Sequence, residues 1–266
     1  MKPPSKHPTI QSDRALLFFP RSVDAEWDEG WSQPIGGEDS VLVSNVTQSS
    51  AAYWSSMVED FDAIYTGEKR SRLSVFLDHW LRKDIYDRIS ETVQVIQAMG
   101  DNQTVLDVGT GTGRLCLPLG ERGHRTVGID FSRSMLEKAK DLTRKAGIAH
   151  LCYFVGGDIV QAIPNELKQY RHFDVITILG VLDYISDPLP LLRKLLLFRP
   201  RKIIASFPCR GTLRCYLRQL RYKVQGLDCP LYFYNPKQLS TYGDQLQCRH
   251  TNRKTMGQLH FCVFEF

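Results

Sequence analysis

Val105-Leu106-Asp107-Val108-Gly109-Thr110-Gly111-Thr112-Gly113 is a short apolar run with β-branched residues at its ends that breaks into alternating glycines. β-Branched residues favour strands and glycine admits the backbone of a tight turn, so the pattern predicts a strand running into a loop. A helix is expected from about Arg114, and the start of a helix offers unpaired N–H groups. Side chains at the glycine positions would keep a ligand away from the backbone, so the turn reads as a cradle for a nucleotide-like ligand. Spacing narrows the choice. A dinucleotide fingerprint runs G-x-G-x-x-G, whereas these glycines fall as G-x-G-x-G with Asp107 two residues ahead of the first.

Outward from this stretch the chain alternates strand and helix. Strands are expected at Thr104–Val108, Arg125–Ile129, Cys152–Val155, Phe173–Leu179 and Lys202–Ser206. Helices are expected around Leu115–Glu121, Ser134–Ala146 and Pro188–Leu197. Ser134 with Glu137 has the spacing of a capping box, and Asp187 before Pro188 puts proline at a first helical position. Two more strands are expected in the tail, Gln245–Thr251 and Gln258–Phe266. Such alternation implies an α/β fold, a parallel sheet with helices on both faces.

With 266 residues, 42% hydrophobic and 24% charged, the chain suits one sizeable core plus a small cap. Seven cysteines form no C-x-x-C pair and Met1 to Pro8 does not resemble a secretory leader, so reduced thiols and a cytoplasmic location are expected. No run approaches the roughly 20 apolar residues of a membrane span. A net charge of +5 suits anionic surfaces or substrates without arguing for nucleic acid.

Four segments in register carry a resemblance. Asp107-x-Gly109-x-Gly111-x-Gly113 resembles the first motif of class I S-adenosylmethionine-dependent methyltransferases, whose glycine loop packs under the amino-acid end of the cofactor. Gly128-Ile129-Asp130-Phe131-Ser132 resembles the end of their second strand, where an acid holds the ribose hydroxyls. Gly157-Asp158-Ile159 resembles the third-strand end that reads the adenine amino group, and Phe173–Leu179 the fourth strand. The resemblance implies a Rossmann-like seven-stranded sheet, mostly parallel with an antiparallel last strand. It implies an N-terminal helical lid, while the stretch between strands five and six, longer than one crossover helix requires, reads as an inserted cap. Residues 1–52 are then an irregular arm, 53–99 the lid and 100–266 the core, with the cap at about 207–242.

The implied cofactor is S-adenosyl-L-methionine, and the implied contacts are Tyr65, Asp107, Gly109, Thr110, Gly111, Gly113, Asp130, Phe131, Ser132, Met135, Gly157, Asp158, Ile159, Leu179 and Gly180. Tyr65 would cover the methionine moiety, as an aromatic does in resembling enzymes. For Asp130 and Asp158 a helix-capping or turn role is the competing reading. A methyl sulfonium is already reactive, so the protein has mainly to align it, exclude water and take a proton from a hydroxyl acceptor. Asp183 as base and Tyr184 as a wall of the methyl pocket follow strand four, at the carboxyl end of the sheet where ligands bind. His79 is a third catalytic candidate, although its place beside Trp80 on an apolar helical face favours a structural histidine. No metal is expected.

Missing features prune the subclass. Asn/Asp-Pro-Pro-Tyr/Phe, expected after strand four in amino-methylating enzymes of the DNA and glutamine type, is replaced by Gly180-Val181-Leu182-Asp183-Tyr184. No proline–cysteine pair follows strand four, which argues against cytosine C5 chemistry at Cys209. What remains resembles small-molecule O- or N-methyltransferases of the ubiquinone-precursor and magnesium-protoporphyrin type. The expected partner is therefore a small acceptor, anionic or lipid-like, and not nucleic acid. Arg210, Arg214, Arg218 and Arg221 recur opposite Leu213, Leu217 and Leu220, a basic amphipathic helix whose ordinary reading is a solvated face and whose alternative is an anion- or membrane-surface contact. Two other classes stay open, a non-catalytic module on the same fold and a nicotinamide-dependent oxidoreductase.

Overall fold

The computed structural model describes residues 86–210 and 231–266. Seven strands form one sheet: β1 (Thr104–Val108), β2 (Arg125–Asp130), β3 (Cys152–Gly156), β4 (Val175–Ile178), β5 (Lys202–Pro208), β6 (His250–Met256) and β7 (Leu259–Glu265). They lie in the order β3-β2-β1-β4-β5-β7-β6. Only β7 runs antiparallel, pairing with β5 on one side and β6 on the other; β1 to β5 pair in parallel. The α/β sheet with its reversed last strand is the one expected.

Five α-helices are described: α1 over residues 86–97, α2 (Cys116–Gly120), α3 (Arg133–Lys145), α4 (Leu189–Leu195) and α5 (Pro236–Gln245). Strand alternation sends Leu106, Ile176, Ile203 and Phe264 to one face, where Leu191, Leu192 and Leu195 of α4 and Leu239 of α5 cover them. Val105, Val175, Ile204 and Phe261 point the other way and meet Ile89, Val93 and Ile96 of α1 and Leu119 of α2. Of the region expected as a lid, only 86–99 falls among the described residues, and there the helix lies on the sheet. Its apolar positions recur every three to four residues, the spacing that puts them on one stripe.

Several boundaries differ from expectation, each for a local reason. Ser132, not Ser134, caps α3 by accepting a hydrogen bond from Met135 N at 3.4 Å, and Glu137 pairs with Arg133 at 3.1 Å, so the Ser134–Glu137 capping box does not form. Asn235 and Gln238 make a true one at the start of α5. The tail strand begins at His250, because residues up to Gln245 complete α5. Strand four is shorter than expected since Asp174 turns aside, its carboxylate accepting from Thr104 N at 2.9 Å and Thr104 Oγ1 at 2.8 Å. The helix after the glycines starts at Cys116, not Arg114, and is one turn long. Pro188 precedes α4, whose Leu189 N is held by Asp187 Oδ1 at 3.1 Å.

The strand order changes direction between β1 and β4, and at such a switch point the chain leaves a crevice at the carboxyl ends of the strands. The glycine loop follows β1 at this point. No helix among the described residues is long and apolar enough to cross a membrane.

Candidate functional site

The three loop glycines Gly109, Gly111 and Gly113 have φ of +70°, +54° and +74°, values that L side chains rarely adopt. Their neighbours explain two of them further. A Cβ on Gly109 would stand 2.2 Å from Val181 Cγ2, and one on Gly113 would stand 3.0 Å from Ala139 Cβ. The glycines thus serve the close approach of the protein to itself, not only that of a ligand. Gly109 N and Thr110 N both donate to Ile129 O, at 2.8 and 3.1 Å, which pins the loop across the end of β2. Gly128 allows this, because a Cβ there would stand 2.8 Å from the Thr110 side chain and 2.9 Å from Phe154.

Two carboxylates flank the loop. Asp130 ends β2 and accepts from Gly111 N and Ser132 N, each at 2.9 Å. Burial pushes its pKa up while the amides of Ser132, Gly111 and Phe131 hold it down. Asp107 is 4% exposed, on the β1 face toward α1. Register places it opposite Thr177 of β4, whose hydroxyl donates to Asp107 Oδ1 at 2.7 Å. Burial lifts the Asp107 carboxyl to about 6; Thr177, Thr110 and the Arg88 charge oppose that rise, and the Asp130 charge adds to it.

Arg88, on α1, is the residue that the sequence reading missed. A Cβ on Gly180 would lie 3.0 Å from both of its terminal nitrogens, so the guanidinium rests against the backbone where β4 ends. Its Nε is buried with no hydrogen-bond partner among the described residues. A signal was present: Arg88 and Thr92 sit within the apolar stripe of Ile89, Val93 and Ile96, and a cation there needs a reason. Thr177, the one polar residue of β4, was a second signal, and Ser206, whose Oγ accepts from Gly180 N at 3.0 Å, a third.

Gly109, Thr110, Gly111, Gly113, Asp107, Asp130, Phe131, Leu179 and Gly180 therefore meet at the carboxyl ends of β1, β2 and β4. Gly157, Asp158 and Ile159 follow β3 next door, with Gly157 N donating to Asp130 O at 3.0 Å. Asp158 shows the turn-capping behaviour of its competing reading, since Oδ1 accepts from Val160 N at 2.9 Å. Ile159 is 4% exposed and packs in the core, and Met135 and Ser132 are buried in the α3 cap.

Asp183 and Tyr184 lie half-buried in a 3₁₀ turn after β4 (Leu182–Tyr184). That turn is tied down by the residues just ahead of α5. Asp183 O accepts from Tyr232 N at 2.8 Å, and the buried Tyr234 hydroxyl donates to Leu182 O at 3.2 Å and also to Ile185 O. Tyr65 and His79 lie outside the described residues, as do Arg214, Arg218 and Arg221 of the arginine row; Arg210 closes the described part, its N donating to Tyr234 O at 3.3 Å.

Comparisons with known proteins bear on this geometry. Residues 99–225 match a family described as a methyltransferase domain. The chain is 29% identical over 103 residues to tRNA 5-carboxymethoxyuridine methyltransferase of Escherichia coli K12, and 32% identical over 102 residues to ubiquinone biosynthesis O-methyltransferase of Saccharophagus degradans. Each match spans 38% of this chain and 38% of the relative. In fold the chain is similar to magnesium protoporphyrin IX methyltransferase of Synechocystis PCC 6803 solved with S-adenosylhomocysteine, at a TM-score of 0.63 and 19% identity over 82% of this chain and 98% of that one. With a tRNA-modifying enzyme among the relatives, the expectation that nucleic acid is no partner has no support.

Proposed function

We propose, from the premise that this chain belongs with the class I S-adenosylmethionine-dependent methyltransferases, that it binds S-adenosylmethionine at the β1–β4 crevice and transfers its methyl group to an oxygen or nitrogen of a small molecule. The observation that carries the reading is the left-handed glycine loop, bonded through Gly111 N to Asp130 and flanked by the buried Asp107, with Arg88 close by against Gly180. The residues fit the cofactor: Asp130 offers carboxylate lone pairs to ribose hydroxyls, Asp107 a buried anion to an ammonium group, and Arg88 Nε, without a partner among the described residues, a donor to a carboxylate. The sulfonium supplies the electrophilic methyl. The work left to the chain is alignment and exclusion of water, which in good geometries contributes on the order of 7–11 kcal/mol.

Asp183 as the group that takes the acceptor's proton, and Tyr184 as a wall of the methyl pocket, are part of the proposal. Their support is the turn at the carboxyl end of β4, anchored by Tyr232 and Tyr234. A nucleic-acid acceptor is the second reading, favoured by the relative named for tRNA. The test is calorimetry with S-adenosylmethionine and S-adenosylhomocysteine, followed by labelled methyl transfer to fractionated extract with and without ribonuclease. We expect binding that Asp130→Ala weakens by about 1–3 kcal/mol, and a labelled small molecule that ribonuclease leaves intact. Label lost to ribonuclease moves the acceptor to RNA; binding with no labelled product in any fraction makes the domain a non-catalytic module.

A further inference from the structure

At the opposite end of the sheet, where β4 and β5 begin, a cavity of about 260 Å³ is lined by Ile163, Lys168, Tyr170, Leu197, Phe198 and the arginines Arg171 and Arg199. Among the described residues, three cations and no carboxylate line it. Its apolar side is open as well: Leu197 is 67% exposed, the more exposed of the two large apolar side chains that face solvent among the described residues. The cavity thus pairs an exposed apolar edge with three cations, a combination that suits a ligand both aromatic and acidic. The volume falls just below the roughly 300 Å³ at which small-molecule pockets begin, so it suits a single aromatic anchor carried on a segment of chain.

The sequence contains such a segment. Residues 22–68 hold ten acidic side chains and no lysine or arginine, so that stretch carries −10 and the remaining residues +15. Its densest part is Asp24-Ala25-Glu26-Trp27-Asp28-Glu29-Gly30-Trp31, with four carboxylates interleaved with two tryptophans. We propose that this segment docks in the cavity, an indole against Leu197 and Phe198 and its carboxylates against Lys168, Arg171 and Arg199.

Both halves of the match are needed. Tryptophan supplies a large buried area with little conformational entropy to lose. Arginine forks suit carboxylates in geometry as well as charge. The 54 residues between Trp31 and residue 86 are long enough to reach any point of the domain. A second cleft, between α5 and β6, suits an acidic segment less well, since Asp244 lines it and its Arg253 donates to Pro236 O at 2.9 Å. Because the cavity faces away from the glycine loop, docking leaves the cofactor crevice open, and the proposal is independent of the methyl-transfer reading.

The test uses the full chain and zero-length carbodiimide coupling, which joins a carboxylate to an amine in contact. Among the described residues Lys168 is the only lysine lining the cavity, so products joining the 24–29 peptide to Lys168 should dominate by mass spectrometry. Yield should fall roughly tenfold between 50 mM and 1 M salt, as the screening length contracts from more than 10 Å to about 3 Å. It should fall as far in Arg171→Glu/Leu197→Asp, both exposed positions, without changing binding of S-adenosylhomocysteine. Coupling spread over lysines elsewhere, or unaffected by the double substitution, overturns the proposal. So does retention of an RNA oligonucleotide that the double substitution abolishes while coupling persists, which would give the cavity to a polyanionic partner.

Discussion

Asp107→Asn should stabilise the cofactor-free protein while weakening cofactor binding. In the folded chain the Asp107 carboxyl sits at about 6 instead of 3.8, chiefly through burial. An acid whose folded value is raised holds its proton more tightly folded than unfolded, so its ionisation costs stability as pH climbs from 3.8 to 6, and the full cost stands above 6. Two pH units correspond to about 3 kcal/mol. Asparagine keeps an oxygen to accept from Thr177 but carries no charge to desolvate, so urea unfolding at pH 7.5 should show a gain of about 1–3 kcal/mol. That gain should shrink toward zero as pH falls toward 3.8. A variant less stable than the parent at pH 7.5, or a gain that ignores pH, would refute the argument and mean that Arg88 and Thr177 neutralise the charge in full. The partner measurement is cofactor affinity, which in the parent should rise with pH up to about 6 and level off above it, because a cationic ligand favours the ionised carboxyl.

Arg88→Gln should weaken S-adenosylhomocysteine by about 1.5–3 kcal/mol in calorimetry, and should move the pH at which affinity levels off upward, since the Arg88 charge helps hold Asp107 down. Gly109→Ala forces an L side chain to φ +70° with its Cβ 2.2 Å from Val181 Cγ2; chemical denaturation should show a loss of about 2–4 kcal/mol, combining about 1–2 for the left-handed backbone with displacement of Val181. Tyr234→Phe leaves the Leu182 and Ile185 carbonyls without their donor, so unfolding should register a loss of about 1–3 kcal/mol and methyl transfer should fall as the turn bearing Asp183 loosens. His124 is fully buried, its Nδ1 accepting from Gln103 N at 3.1 Å, and burial lowers its pKa; a histidine kept neutral in the fold makes stability decline as pH drops below about 6.5, and His124→Gln should flatten that slope in thermal melts.

The sheet was legible because its signals are local and repeated. The buried strands are short stretches of four to seven residues centred on β-branched and other apolar side chains, and the helices between them carry their own period, so alternation alone implied parallel pairing. Strand ends were less legible, because a partner far along the chain decides them. Asp174 leaves β4 for Thr104, seventy residues away, and nothing near Asp174 in sequence announces that contact. The false capping box has a similar cause. Ser132 and Ser134 both precede a helical pattern, and only the path of the chain out of β2, where Asp130 holds Ser132 N, selects Ser132.

Part of the candidate site was legible for the same reason as the sheet, and the rest was hidden for a physical one. Glycines and strand-end acids are read one at a time, since each is costly or unusual where it stands. Arg88, Thr177 and Ser206 are unremarkable singly and become a site only when α1, β4 and β5 bring them around Asp107 and Gly180. The fold supplies the reason for tolerating them. An ionised carboxyl beneath a sheet end is destabilising unless hydroxyl and guanidinium groups converge on it, and a buried guanidinium Nε with no acceptor among the described residues is destabilising in turn. On the proposed reading, a ligand carrying both an ammonium and a carboxylate would relieve the two costs together, where a ligand with either charge alone would relieve one.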